Sequence, residues 1–171
     1  MFGAKYSTIN EQPIHATSIE QLNAEAFGPG RHARAAARIR EQGPHQLEHS
    51  YVCVCPEQGM DEVAGSVRMT PIYIGDDIGY LLGPLAVRQQ FKKQGLGKSL
   101  VAQAIQSIKS TDAKGVILVG DLAYYGPMGF EIVQSGEVKL PGPTDAHRTL
   151  VYHITDQQDP SYQGLIRYRE I

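Results

Sequence analysis

Tryptophan is absent from this chain, cysteine occurs only twice, and neither charge sign has a useful surplus. Sixteen Lys and Arg stand against 18 Asp and Glu, a net charge of −2, and the pI is about 6.3. A balance so close to neutral builds no broad field, so neither nucleic acid nor an anionic membrane is an expected main partner. No apolar stretch reaches the about eighteen residues that a membrane-crossing helix needs. The opening MFGAKYSTINEQ has no basic patch followed by an apolar run, so no secretory signal is expected. Cys53 and Cys55 lie two positions apart on an extended segment and point the same way, where a disulfide would be strained. They read as reduced thiols, and the expected compartment is the cytoplasm.

What is present suits one folded domain over 1–171. The chain has 171 residues, 42% hydrophobic and 20% charged, enough for a core and too apolar for wholesale disorder. Eighteen Gly and ten Pro predict many turns. A short strand is expected over 4–9. A helix follows, announced by overlapping capping-box patterns at Thr17 and Ser18, and stops near Gly28-Pro29-Gly30. An Ala-rich second helix is predicted over 31–42. Strands over 47–55, 63–74 and 78–87, the last two joined by a Gly75-Asp76-Asp77 turn, predict an antiparallel meander. Gly83-Pro84 interrupts the third strand, which should bulge or leave a neighbour there.

The clearest helix follows, with Leu96, Leu100, Val101, Ala104, Ile105 and Ile108 on one face. The run 116–119 predicts a buried parallel strand. A short helix over 122–126, a strand from Phe130, and a final strand over 149–154 complete the pattern. The tail from Asp156 is polar, with no element assigned. The order implies an α/β fold of the α+β type, built on a mixed, mostly antiparallel sheet.

The glycine-rich turn FKKQGLGKSL (91–100) carries the chemistry. A P-loop would need Gly where Lys92 stands, and a dinucleotide fingerprint would need Gly where Leu100 stands. An anion cradle fits better: glycines admit close backbone approach, free N–H groups open the helix, and Lys92, Lys93 and Lys98 add positive charge.

At this point the chain resembles the GNAT N-acetyltransferase superfamily, and within it a subgroup of small predicted bacterial N-acetyltransferases. GPLAVRQQFKKQGLGKSLV is similar to the superfamily's acyl-CoA motif [Q/R]-x-x-G-x-[G/A]. Gly120 to Phe130 fits its G-D-x-x-Y-Y-x-x-x-G-F block, and Phe27 to Arg31 fits F-G-x-G-R. One position departs: Lys92 keeps the charge of the usual Arg but not its planar fork.

The resemblance implies a GNAT-like sheet of about six or seven strands flanked by about four helices. It implies an acetyl group passed directly from acetyl-CoA, as co-substrate, to a primary amine, with no metal. Cofactor contacts are then expected at Leu85, Ala86 and Val87 and along Lys92, Lys93, Gln94, Gly95, Leu96, Gly97, Lys98 and Ser99. Tyr125 also falls in this set and occupies the family's general-acid position; a phenol of pKa ~10 can assist a departing thiol of pKa about 8.5. A backbone N–H of the third meander strand is expected to hold the oxyanion. Tyr124 is expected to face the core.

The general base is not identified. The 78–87 segment has no carboxylate, Asp76 and Asp77 lie in a turn, and Asp121 reads as a helix cap. Phe27 and Arg31, with His32 and Arg34, are expected to border the acceptor, where arginines suit a carboxylate or phosphate. The loop 136–148 is expected to form the other wall. A homodimer is compatible with the family, though no feature demands one. The alternative reading is a catalytically weak acyl-CoA sensor or interaction module, favoured by the missing base and opposed by Tyr125. His45, His49, Cys53 and Cys55 offer zinc-type ligands, but their segment reads as a core strand.

Overall fold

The computed structural model describes residues 6–56, 59, 62–134, 138–154 and 162–171. Strand β1 (Ser7–Asn10) lies at one edge and is preceded by Tyr6 outside the strand; Ala4 and Lys5 lie outside the described residues. Strands β2 (Tyr51–Val54), β3 (Val63–Ile74) and β4 (Asp77–Val87) follow it as the expected antiparallel meander. Ile74 pairs with Asp77 across Gly75 and Asp76, and Gly75 takes the positive φ (62°) that this tight reversal requires. Residues 47–49, expected in a strand, form a 3-10 turn instead.

Helix α1 (Ala16–Phe27) begins before the capping-box serine. Ser18 is buried, and its Oγ accepts the Val63 N–H at 3.0 Å, a tertiary bond where the pattern predicted a local cap. Helix α2 covers only Ala35–Arg40, because Arg34 is extended (φ −74°, ψ 145°) and 29–33 form a 3-10 turn. Helix α3 (Leu96–Ile108) has the expected faces, with the six residues of its apolar face buried.

Strand β5 (Gly115–Val119) runs parallel to β4 and antiparallel to β8 (Thr149–His153), which pairs with the short β6 (Glu131–Ile132). Helix α4 (Leu122–Tyr125) lies between β5 and β6. The polar tail, which has no element assigned from sequence, holds β9 (Gly164–Tyr168), which pairs antiparallel with Ile72–Ile74 of β3 and parallel with β7 (Val138–Lys139). Nine strands and four α-helices are thus present among the described residues, in the mixed, mostly antiparallel α/β arrangement read from the sequence.

Alternation along the strands divides the interior. Cys53, Val67, Met69 and Leu82 join the apolar face of α3 on one side of the sheet. On the other side α2 covers Ile72, Ile74 and Leu81, while Ile19 and Leu22 of α1 cover Val52, Val54 and Val63. Helices on both faces leave the strand ends to form the site.

Candidate active site

The β4–β5 ladder stops early. It joins Gly79, Tyr80 and Leu81 to Gly115, Val116 and Ile117, and no pair follows. Directly after it comes the cis Gly83-Pro84 bond, with a register shift against β3 between Val67 and Met69. The parting expected at Gly83-Pro84 is therefore present, with β4 and β5 unpaired beyond Leu81 and Ile117.

Beyond the shift β4 pairs regularly with β3, and the Arg88 N–H donates to Ala64 O at 2.8 Å. Strand alternation then turns the Ala86 amide toward β3 and those of Leu85 and Val87 toward the opening.

A groove of about 600 Å³ starts there. Leu85, Ala86, Val87, Lys92, Lys93, Gly95, Leu96, Gly97, Lys98 and Tyr125 all line it, as does Phe91. The turn into α3 is built for exposed amides. Lys93 (φ 64°) and Gly95 (φ 83°) are both left-handed, and no side chain caps the helix. Nothing lies within 4 Å of where a Cβ on Gly95 would stand, so the helix N-terminus is open to an anion. Two expected members do not line the groove: Gln94 donates from its side chain to Gln90 O at 3.3 Å, and Ser99 is exposed, its N–H bonded to Gly95 O.

A second cavity, about 700 Å³, opens on the α1–α2 side. Phe27, Arg31, His32 and Arg34 line it, with the Arg34 guanidinium 5.2 Å from the centre of the Phe27 ring. Pro143, Thr144, Asp145 and Arg148 form the opposite wall, so part of the predicted loop is there; His147 is not. Residues 136 and 137 lie outside the described residues.

Tyr125 lines both spaces, together with Leu85 and Tyr124. Asp121 caps α4 through Ala123 N–H (3.1 Å), which fixes the short helix that presents Tyr125. Burial, reinforced by Tyr124, pushes the Tyr125 phenol up to about 12 against the opposing pull of Arg40 and Arg148. It stays protonated throughout the neutral range. Tyr124 departs from expectation: it is 40% exposed, and its hydroxyl closes on the bare face of Gly97. Consecutive residues on a short helix point about 100° apart rather than to opposite sides, so both rings reach the site.

Residues 16–130 match the acetyltransferase (GNAT) family. The chain belongs to that family. The uncharacterized N-acetyltransferase YhbS of Escherichia coli K12 is 27% identical over 162 residues, 94% of each chain. A crystal structure of E. coli YhbS in complex with CoA superposes with a TM-score of 0.81 at 25% identity, covering 99% of this chain and 93% of that one. A Brucella melitensis GNAT acetyltransferase in complex with acetyl-CoA shares the fold, with a TM-score of 0.61 at 24% identity over 88% and 97% of the two chains.

Within this GNAT framework three of the four zinc-type residues have other contacts, and Cys55 is buried. His45 Nε2 lies 3.0 Å from Glu11 Oε1. His49 Nδ1 meets Ser107 Oγ at 3.1 Å, and Cys53 Sγ lies 3.4 Å from Thr8 Oγ1. Burial pushes the Cys53 thiol up, which disfavours the thiolate a metal would need. No helix among the described residues is long and apolar enough to cross a membrane.

Two features escaped the sequence reading. Glu11 is 4% exposed and takes three hydrogen bonds from Arg68, at 2.8 to 3.1 Å, behind the larger cavity. Arg40, read only as part of a helix, lines that cavity beside Gly83. Neither position has a local pattern; both acquire meaning from elements far away in the chain.

Proposed function

We propose that this GNAT protein moves an acetyl group from acetyl-CoA directly to a primary amine, with acetyl-CoA in the β4–α3 groove and the amine in the larger cavity. The observation that carries the reading is that Tyr125 and Leu85 line both spaces where the two meet.

The open amides at the start of α3, with Lys92, Lys93 and Lys98 nearby, suit the pyrophosphate of CoA. The outward amides of Leu85 and Val87 suit its amide-bearing arm and the thioester carbonyl. As the amine nitrogen attacks, negative charge grows on that carbonyl oxygen, and a fixed β4 N–H stabilises it. The C–N bond forms as the C–S bond breaks, and Tyr125 donates its O–H toward the departing sulfur. A phenol raised to about 12 transfers a proton to a thiolate only reluctantly. Its main contribution is thus a hydrogen bond that strengthens as charge develops on sulfur. The amine's proton leaves through solvent in the larger cavity.

Free thiol released from acetyl-CoA, measured across a panel of amines, tests the reading. Amine-dependent release with a stoichiometric N-acetyl product supports it. CoA binding with no release on any amine would favour an acyl-CoA sensor.

A further inference from the structure

Arg40, in the last turn of α2, lines the larger cavity. Its Nη2 is 3.0 Å from where a side chain would begin on Gly83, just past the end of the β4–β5 ladder and two residues before Leu85. The guanidinium thus sits beside the junction of the two spaces.

The other arginines around the cavity are engaged. Arg68 is held by Glu11 and Glu20, Arg31 donates to Gly28 O, Arg148 donates to Gly120 O, and Arg34 lies over Phe27. Arg40 has no hydrogen bond or ion pair among the described residues, and its Nε is closed off from solvent without a partner. The carboxylates of the same cavity do not serve it. Glu20 pairs with Arg68, Asp121 and Asp145 cap the N–H groups of Ala123 and His147, and Glu41 is exposed. Desolvation, with Arg34 and Arg68 nearby, pushes the Arg40 guanidinium down to about 10 despite the opposing Tyr125. A second polar group is also unmatched in the cavity: Asn23, 3% exposed, has a buried side-chain oxygen with no partner.

Arg40 is half-buried with only its Nε closed off, so the terminal nitrogens are left to meet a ligand, and the planar fork of Arg matches a carboxylate or phosphate in bidentate fashion. We propose that Arg40 receives an oxyanion of the acceptor, which is therefore a small amine carrying a carboxylate or phosphate close to its nucleophilic nitrogen. The proximity follows from Gly83, since a group held there lies next to the strand that presents the thioester. The inference rests on the larger cavity being the acceptor site.

The test compares matched pairs by thiol release: an α-amino acid against its amide, and an aminoalkyl phosphate against the corresponding amino alcohol. The anionic member is expected to lead by at least about tenfold in kcat/KM, mostly through KM. Arg40→Gln should abolish the preference and Arg40→Lys should keep part of it, with KM for acetyl-CoA within about twofold of wild type. The carboxylate and phosphate arms distinguish the two anion sources. A second readout needs no turnover. With the protein saturated in CoA, so that the α3 site is filled, glycine and inorganic phosphate are added as probes. At least one should raise the melting temperature of wild type and not of Arg40→Gln. A preference for the uncharged members, a preference that survives Arg40→Gln, or an anion effect absent or equal in both proteins overturns the inference. If CoA itself gives no shift, the acetyl-transfer reading fails and this inference with it; a CoA shift without an Arg40-dependent anion effect sinks this inference alone.

Discussion

The rings of Tyr124 and Tyr125 meet edge to face, with centroids 4.9 Å apart and planes at 87°. This contact carries Tyr125 against Phe130 on one side, at 5.7 Å, and ties Tyr124 to the start of α3 on the other. Tyr125→Phe should keep this packing and lose only the hydroxyl. Turnover is expected to fall about 10²-fold while the Kd for acetyl-CoA stays within about twofold. Steady-state kinetics beside calorimetric binding checks it, and undiminished turnover would remove Tyr125 from the reaction.

The raised Tyr125 phenol also fixes a pH dependence. Held near 12, it remains the protonated donor well above the ordinary tyrosine range. The wild-type rate should therefore show no alkaline loss from this group up to about pH 10. A falling limb that disappears in Tyr125→Phe would contradict the shift.

The Glu11–Arg68 pair predicts a stability effect. Burial raises the Glu11 carboxyl, but the contacts from His45 and Arg68 outweigh it and hold the carboxyl below its ordinary value. A depressed carboxyl contributes stability that is present above its unfolded pKa and lost as pH falls through the folded one. Glu11→Gln should cost about 3 kcal/mol at neutral pH by leaving Arg68 without its main partner. Below the carboxylate range the difference from wild type should shrink, as denaturant melts at several pH values would show.

Much of this fold was legible because its signals are local. The 3.6-residue spacing from Leu96 to Ile108, the Gly75 turn and the Gly83-Pro84 interruption each state their structure within a few residues. Strand β9 was missed because only Ile166 of its five residues is buried, and its pairing with Ile72–Ile74 joins segments some 90 positions apart. The second helix was overextended because Ala and Arg favour helix, while the extended Arg34 answers to packing around the Phe27 ring. At the site, the turn into α3 and Tyr125 could be read from their motif. Arg40 could not, since only the fold brings it to Gly83.

The docking of β9 rests on Tyr168, whose hydroxyl donates to Pro44 O at 3.0 Å while its ring fills the space beside Gly43. A side chain on Gly43 would land inside that ring. Gly43→Val should displace β9 and cost about 2 kcal/mol. Hydrogen exchange should then rise at Ile166 and Arg167 and remain slow in α3.

The central claim is that the open turn into α3 and the outward edge of β4 receive acetyl-CoA. Gly95 tests it most directly: φ is 83° and no atom fills the space where a side chain would stand, so Gly95→Val both strains the turn and projects into the groove. Titration calorimetry of acetyl-CoA into wild type should show one site per chain, weakened at least about tenfold in Gly95→Val with little change in fold by circular dichroism. Absence of wild-type binding, or equal affinity in the two proteins, would contradict the account.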